Sequence, residues 1–134
     1  MDASLLLGFV LRWQGAADIF SNLLSIDNII AIPEVTDLEI ANALRKNLNL
    51  KLLSADSAEN AIQFYQSLDL ERYSHQSLLP RIWQLKQNMT AYDAAYVALA
   101  EAHNAELWTA DQKFSRTPGP NIKIVYHQQL PPAP

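Results

Sequence analysis

Cysteine is absent from the 134 residues, which excludes disulfides, thiolate-held metals and a cysteine nucleophile. Long apolar runs are absent as well. The stretch Leu5–Leu11 ends at Arg12, far short of the roughly 20 residues a membrane helix needs, so no membrane association is expected. No basic segment precedes that stretch and no small-residue cleavage site follows it, so it does not read as a secretory signal. A cytoplasmic protein is the simplest expectation. An excess of positive charge is missing too: ten Lys and Arg against fourteen Asp and Glu leave a net charge of −4. That balance argues against a strongly basic nucleic-acid binder, whose affinity comes from neutralising phosphates. The objection weakens if several acids are gathered around cations, because bound metal reverses the local charge. Finally, there is no internal repeat and no linker rich in Gly or Ser. One domain is expected over residues 1–130, with the proline-rich residues 131–134 as a loose tail.

What remains suits a folded globule: 49% of residues are hydrophobic and 18% charged, in a chain long enough to bury one core. Short apolar, β-branched runs predict strands at Asn28–Ile32, Ala105–Thr109 and Ile122–Tyr126, with a weaker one at Leu70–Tyr73. Helical patterns lie between them, at about Leu5–Trp13, Ala16–Ser25, Glu34–Asn47, Ala55–Ser67, Gln76–Gln87 and Ala91–Asn104. Strands alternating with helices imply an α/β fold, a mostly parallel sheet covered on both faces. The helix from Ala91 has almost no polar stripe, so it should be buried, yet it carries Asp93 in its first turn.

Ligands of open α/β sheets collect beyond the carboxyl ends of the strands. Four acids fall at such places: Asp2 before the first helix, Glu39 early in the helix after the first predicted strand, Asp93, and Asp111 just past Thr109. Carboxylates of this kind suit Mg²⁺ or Mn²⁺, which prefer oxygen ligands, and no His or Cys cluster favours zinc. Each acid also has a plainer role. Thr36 with Glu39 and Thr90 with Asp93 both have capping-box spacing. Asp2 or Ser4 fits an N-cap, and Asp111 fits the start of a turn. Spacing alone leaves both readings open.

The segment Thr90-Ala-Tyr-Asp-Ala-Ala-Tyr-Val-Ala-Leu-Ala100, followed by Leu107-Trp-Thr-Ala-Asp111, resembles the signature of the PIN domain, and in particular of bacterial VapC-like toxins. The resemblance continues in Pro33–Arg45 and in Asp2-Ala-Ser4, in family order, and so covers nearly the whole chain. It implies a three-layer α/β/α fold around a parallel sheet of four or five strands. It also implies a Mg²⁺- or Mn²⁺-dependent ribonuclease whose metal is held by Asp2, Glu39, Asp93 and Asp111. Ser4, Thr109 and Asn42 match supporting polar positions. Arg45, Lys46, Lys113 and Arg116 are candidates for RNA phosphates, although cations at helix ends also serve the helix dipole. The implied partners are RNA, a small antitoxin and a second copy of the chain. A catalytically inactive PIN-fold binding module is the alternative. A phosphotransfer-type receiver is set aside, because it would need an acidic pair after its first strand and a lysine beyond its last. His75, His103 and His127 match no functional position, and Trp13, Trp83 and Trp108 are expected in core or interface.

One departure stands out. Family members place several apolar residues before the first Asp, as the central strand, whereas here Met1 precedes Asp2 directly. Either the true start lies further upstream, or foreign residues take the place of that strand, or the central strand is stunted and Asp2 is poorly held. A second expectation concerns Ala55–Gln87, which carries Phe64, Tyr65, Leu68, Leu78, Leu79, Ile82, Trp83 and Leu85. That surplus of large apolar side chains points to an interface, with Trp83 as its anchor, unless all eight pack into the core.

Overall fold

The computed structural model describes residues 1–24 and 27–128; the predicted tail at 131–134 and the end of the second predicted helix, at Ser25, lie outside the described residues. The elements run α1 (Ala3–Val10), α2 (Ala16–Leu24), β1 (Ala31–Pro33), α3 (Val35–Asn49), α4 (Ala55–Ser67), β2 (Glu71–Tyr73), a 3₁₀ turn (Gln76–Leu78), α5 (Leu79–Gln84), α6 (Ala91–Ala102), β3 (Leu107–Thr109), α7 (Lys113–Arg116) and β4 (Ile124–Tyr126). The fold is the expected α/β arrangement, with parallel strands throughout. The four described strands form two separate pairs. β1 pairs with β2, placing Ala31 opposite Glu71, and β3 pairs with β4, placing Leu107 opposite Ile124.

Each pair has its own core. Leu6, Val10, Phe20, Ile32, Ile40, Leu44 and Tyr65 pack around β1 and β2. Ile82, Leu85, Val97, Leu107 and Phe114 join the alanines of α6 around β3 and β4. Helix α6 touches both β1 and β3 and ties the halves together. It forms because Thr90 caps it, its hydroxyl oxygen accepting the Asp93 N–H at 3.2 Å, and because alanine favours helix. It ends at Asn104, whose φ of 48° is the left-handed value that asparagine tolerates after a helix. The buried face spans Ala94–Ala100, as the apolar pattern predicts.

Local differences from the sequence reading have physical reasons. The first strand begins at Ala31, not Asn28, because its partner β2 begins at Glu71, which stands opposite Ala31. The helix expected over Gln76–Gln87 is a 3₁₀ turn followed by α5, with Pro80 in the first turn of α5. Helix α7 is new; four residues are too few for a periodic signal. Between α7 and β4, Gly119 adopts a φ of 113°, and a Cβ there would sit 3.0 Å from both Asn88 and Leu85 side chains. Its carbonyl accepts from Arg81 at 3.0 Å, which is paired in turn with Glu101 at 2.6 Å. Among the described residues no helix is long and apolar enough to cross a membrane.

Candidate metal centre

Asp2 caps α1, accepting the Leu5 N–H at 3.3 Å. The Ser4 hydroxyl donates to the same carboxylate, lying 2.8 and 2.9 Å from its two oxygens. Thr109, fully buried at the end of β3, donates to Asp2 Oδ2 at 2.8 Å. That threonine oxygen also accepts the Asp111 N–H at 2.9 Å, while Ser4 Oγ accepts the Ala110 N–H at 3.0 Å. The Asp2 N–H itself donates to the Trp108 carbonyl at 3.0 Å. Burial raises the Asp2 carboxyl above its usual range, against the pull of Ser4, Thr109 and the Leu5 N–H. The expectation of a poorly held Asp2 is thus corrected: only 4% of the residue is exposed, and capping plus the end of β3 fix it. Ser4 is not a cap; it braces Asp2.

Asp93 and Asp111 share one cation. Lys113 Nζ lies 2.9 Å from Asp93 Oδ2 and 3.2 Å from Asp111 Oδ2. Its pKa is raised, first by the hydrogen bond to Asp93 and against some desolvation. The other Asp111 oxygen accepts the Lys113 N–H at 3.0 Å, so Asp111 does open a turn while presenting its second oxygen to the ammonium. Asp93 likewise takes the capping bond through its N–H and leaves its carboxylate for Lys113.

Glu39 is not part of a capping box. Thr36 lies inside α3, buried, and does not cap it; the N-cap position is Glu34, which makes no side-chain cap. Glu39 Oε1 instead accepts the Tyr96 hydroxyl at 2.8 Å. Burial raises the Glu39 carboxyl; the negative charges of Asp93 and Asp2 push it further, while Tyr96 and Lys113 oppose them. Burial and the neighbouring carboxylates also raise Tyr96, whose hydroxyl keeps its proton. Tyr96 has no assigned role in the sequence reading. The signal was available, since it stands three residues after Asp93 and therefore on the same face of α6.

The four acids therefore share one region, with Asp2 and Asp111 joined through Thr109, Asp93 and Asp111 through Lys113, and Glu39 within the field of the others. Asn42 is exposed one helical turn beyond Glu39. Arg45 and Lys46 are exposed at the far end of α3, and Arg116 is exposed on α7. Among the described residues no three His, Asp or Glu side chains stand close enough, as placed, to ligate one ion. The donor chemistry nonetheless fits a hard divalent cation: every candidate ligand is an oxygen, and the Lys113 ammonium marks a cation position between Asp93 and Asp111.

The PIN domain family model matches residues 1–120. The chain is 43% identical over 86 residues to the VapC ribonuclease Mb0985 of Mycobacterium bovis, covering 64% of this chain and 68% of the relative. It is 36% identical over 110 residues to ribonuclease VapC1 of Mycobacterium tuberculosis, covering 81% and 83% of the two chains. With ribonuclease VapC12 of the same species it shares 27% identity over 124 residues, 92% and 95% of the two chains. With its acids gathered where β3, α3 and α6 meet, the chain belongs to the PIN domain family.

Proposed function

We propose that the chain is a Mg²⁺- or Mn²⁺-dependent endoribonuclease, the toxin of a toxin–antitoxin pair. The observation that carries the reading is that Asp2, Glu39, Asp93 and Asp111 share one region, two of them, Asp93 and Asp111, holding one ammonium between them. The similarity to VapC ribonucleases supports RNA as substrate and an antitoxin as partner.

A divalent ion, when bound, supplies charge neutralisation at the phosphodiester and makes water a stronger nucleophile. The chain's own groups do the rest. Asp93 and Asp111 offer the oxygens that Lys113 now holds. Asp2 is oriented by Ser4 and Thr109 so that its carboxylate cannot turn away. Tyr96 fixes Glu39 through Oε1, and among the described residues no hydrogen bond engages Oε2. A carboxylate with a raised pKa is a better proton acceptor near neutrality, which suits Glu39 to activating a water as well as to holding metal. Arg45, Lys46 and Arg116, all exposed, are the cations left to meet RNA phosphates. An antitoxin would act by laying its own Lys or Arg where Lys113 lies.

The inactive binding-module reading draws on the same lysine, since an ammonium between Asp93 and Asp111 would exclude metal if it never left. One assay separates the two. Cleavage of single-stranded RNA with Mn²⁺ or Mg²⁺, lost in EDTA and lost by at least about a thousandfold in both Asp93→Asn and Asp111→Asn, supports the nuclease. Full activity in EDTA, or in both variants, refutes it. The surface also favours self-association. Of the eight large side chains in Ala55–Gln87, Tyr65, Ile82 and Leu85 are buried, while Leu79 and Trp83, one turn apart on α5, are 52% and 69% exposed. A symmetric dimer through that face is the simplest use of them. Sedimentation of wild type and Trp83→Ala at tens of micromolar tests it, and a monomeric wild type ends the idea.

A further inference from the structure

Beside the acids, where the chain entering α6 meets α7, lies a pocket of about 220 Å³ that shares Asp93 and Lys113 with the metal centre. The rest of its lining carries no charge: Asn88, Met89 and Thr90 ahead of α6, Phe114 on α7, and Thr117 just after it. A tight turn sets the first of these, since the Asn88 and Met89 N–H groups both donate to the Leu85 carbonyl, at 3.0 and 3.2 Å. Gly119 lets the Asn88 amide stand where it does, because a Cβ at 119 would lie 3.0 Å from its Nδ2. Among the described residues no hydrogen bond engages that amide, so its two donors and its acceptor are open. Thr90 Oγ1 accepts the Asp93 N–H, and its own proton meets no acceptor among the described residues. Thr117 donates to the Lys113 carbonyl at 2.8 Å and keeps its oxygen free to accept.

We propose that this pocket takes one unpaired nucleobase of the RNA strand, adjoining the phosphodiester held at the acids, and that Asn88 reads the edge of that base. That the occupant is RNA rests on the nuclease reading; that it is a base follows from the lining. Asp93 belongs both to the pocket and to the acid cluster, so a group seated in the one sits beside a phosphodiester at the other. The Lys113 ammonium is already shared by Asp93 and Asp111, and nothing else in the lining is positive, so a phosphate finds no free cation there. A base finds Met89 and Phe114 for its ring, and an amide and two hydroxyls for its edge. A carboxamide sets a donor next to an acceptor, the pattern that pairs with a neighbouring acceptor and donor on a base. Only an unpaired base has that edge to offer, because in a duplex the partner strand engages it.

Two measurements test the pocket. In EDTA, the Asn88 side-chain amide and the Met89 methyl are followed by NMR while AMP, CMP, GMP or UMP is added, with ribose 5-phosphate as the probe that lacks a base. At least one nucleotide should move both signals to saturation, and ribose 5-phosphate should move neither. Asn88→Ala should weaken that nucleotide at least about fivefold, read at Met89. The proposal is overturned if no nucleotide saturates, if ribose 5-phosphate acts alike, or if Asn88→Ala binds as well as wild type. Cleavage of randomised single-stranded RNA with Mn²⁺ is the second measurement. Wild type should prefer the same base at one position adjoining the cut, and Asn88→Ala should lower that preference at least about fivefold. No preference there, or one that the substitution leaves intact, also overturns the proposal. A wild type that cuts no RNA refutes the nuclease reading, and the nucleotide titration then decides on the pocket by itself.

Discussion

The acid cluster has a closed end and an open end. At the closed end, Asp2, Ser4 and Thr109 saturate one another with hydrogen bonds, and Asp2 and Thr109 are buried. At the open end, Asp93 and Asp111 face a lysine whose side chain is 56% exposed. Both ends are built from carboxylates, but burial makes the first a matter of stability and exposure makes the second a matter of exchange. A buried hydroxyl bonded on both sides costs its full desolvation when a partner is deleted, whereas an exposed ion pair is screened and can be traded for another cation.

The largest expected effect in the folded state is at Thr109. Thr109→Val keeps the shape but leaves Asp2 Oδ2 and the Asp111 N–H short of a partner. It should lower stability by about 2–3 kcal/mol, read as a shifted urea midpoint. An unchanged midpoint would mean the closed end is not closed. Next comes Lys113→Met. Its effect on metal-free stability should stay under about 1 kcal/mol, because the pair is half-exposed. Calorimetry with Mn²⁺ should instead show affinity rising about tenfold, or 1.4 kcal/mol, once no ammonium competes for the two carboxylates. Unaltered affinity would show that Lys113 does not share the ion's position. The smallest effect is a pH dependence. The folded carboxyl of Asp2 is raised above 3.8, so its contribution is complete below that value and lost as pH rises through the folded one. Asp2→Asn cannot undergo that loss. In EDTA, the melting temperature of Asp2→Asn relative to wild type should therefore climb as pH goes from about 4 to 7. A flat difference would mean that burial does not favour the protonated form of Asp2.

Much of this was legible in the sequence, for reasons tied to particular residues. Helix α6 announced itself through an unbroken apolar pattern behind the cap Thr90, and β3 through the run ending at Thr109. The four acids could be placed near one another because each follows a strand or opens a helix. What they do locally was legible at Asp2, Asp93 and Asp111, in their cap and turn positions, but not at Glu39. Capping-box spacing at Thr36 and Glu39 was misleading, because the turn after Pro33 starts the helix earlier, at Val35. The pairing of Lys113 with Asp93 depends on α7 being a helix, and four residues carry no periodicity. The hold on Asp2 could be seen only in part, since Ser4 and the Leu5 N–H stand beside it in the chain whereas Thr109 reaches it from the other end of the described residues.

That last bond has a consequence for synthesis. Asp2 leaves the ribosome 107 residues ahead of the threonine that orients it, and Asp111 follows that threonine. The N-terminal half can gather its own core around β1 and β2, closing Ala31 onto Glu71, without bringing together the acidic set. A nascent or truncated chain that stops before Thr109 therefore lacks the brace on Asp2 as well as Asp111. If the finished protein cuts RNA, the ribosome making it holds an unarmed chain until Thr109 and Asp111 have been added.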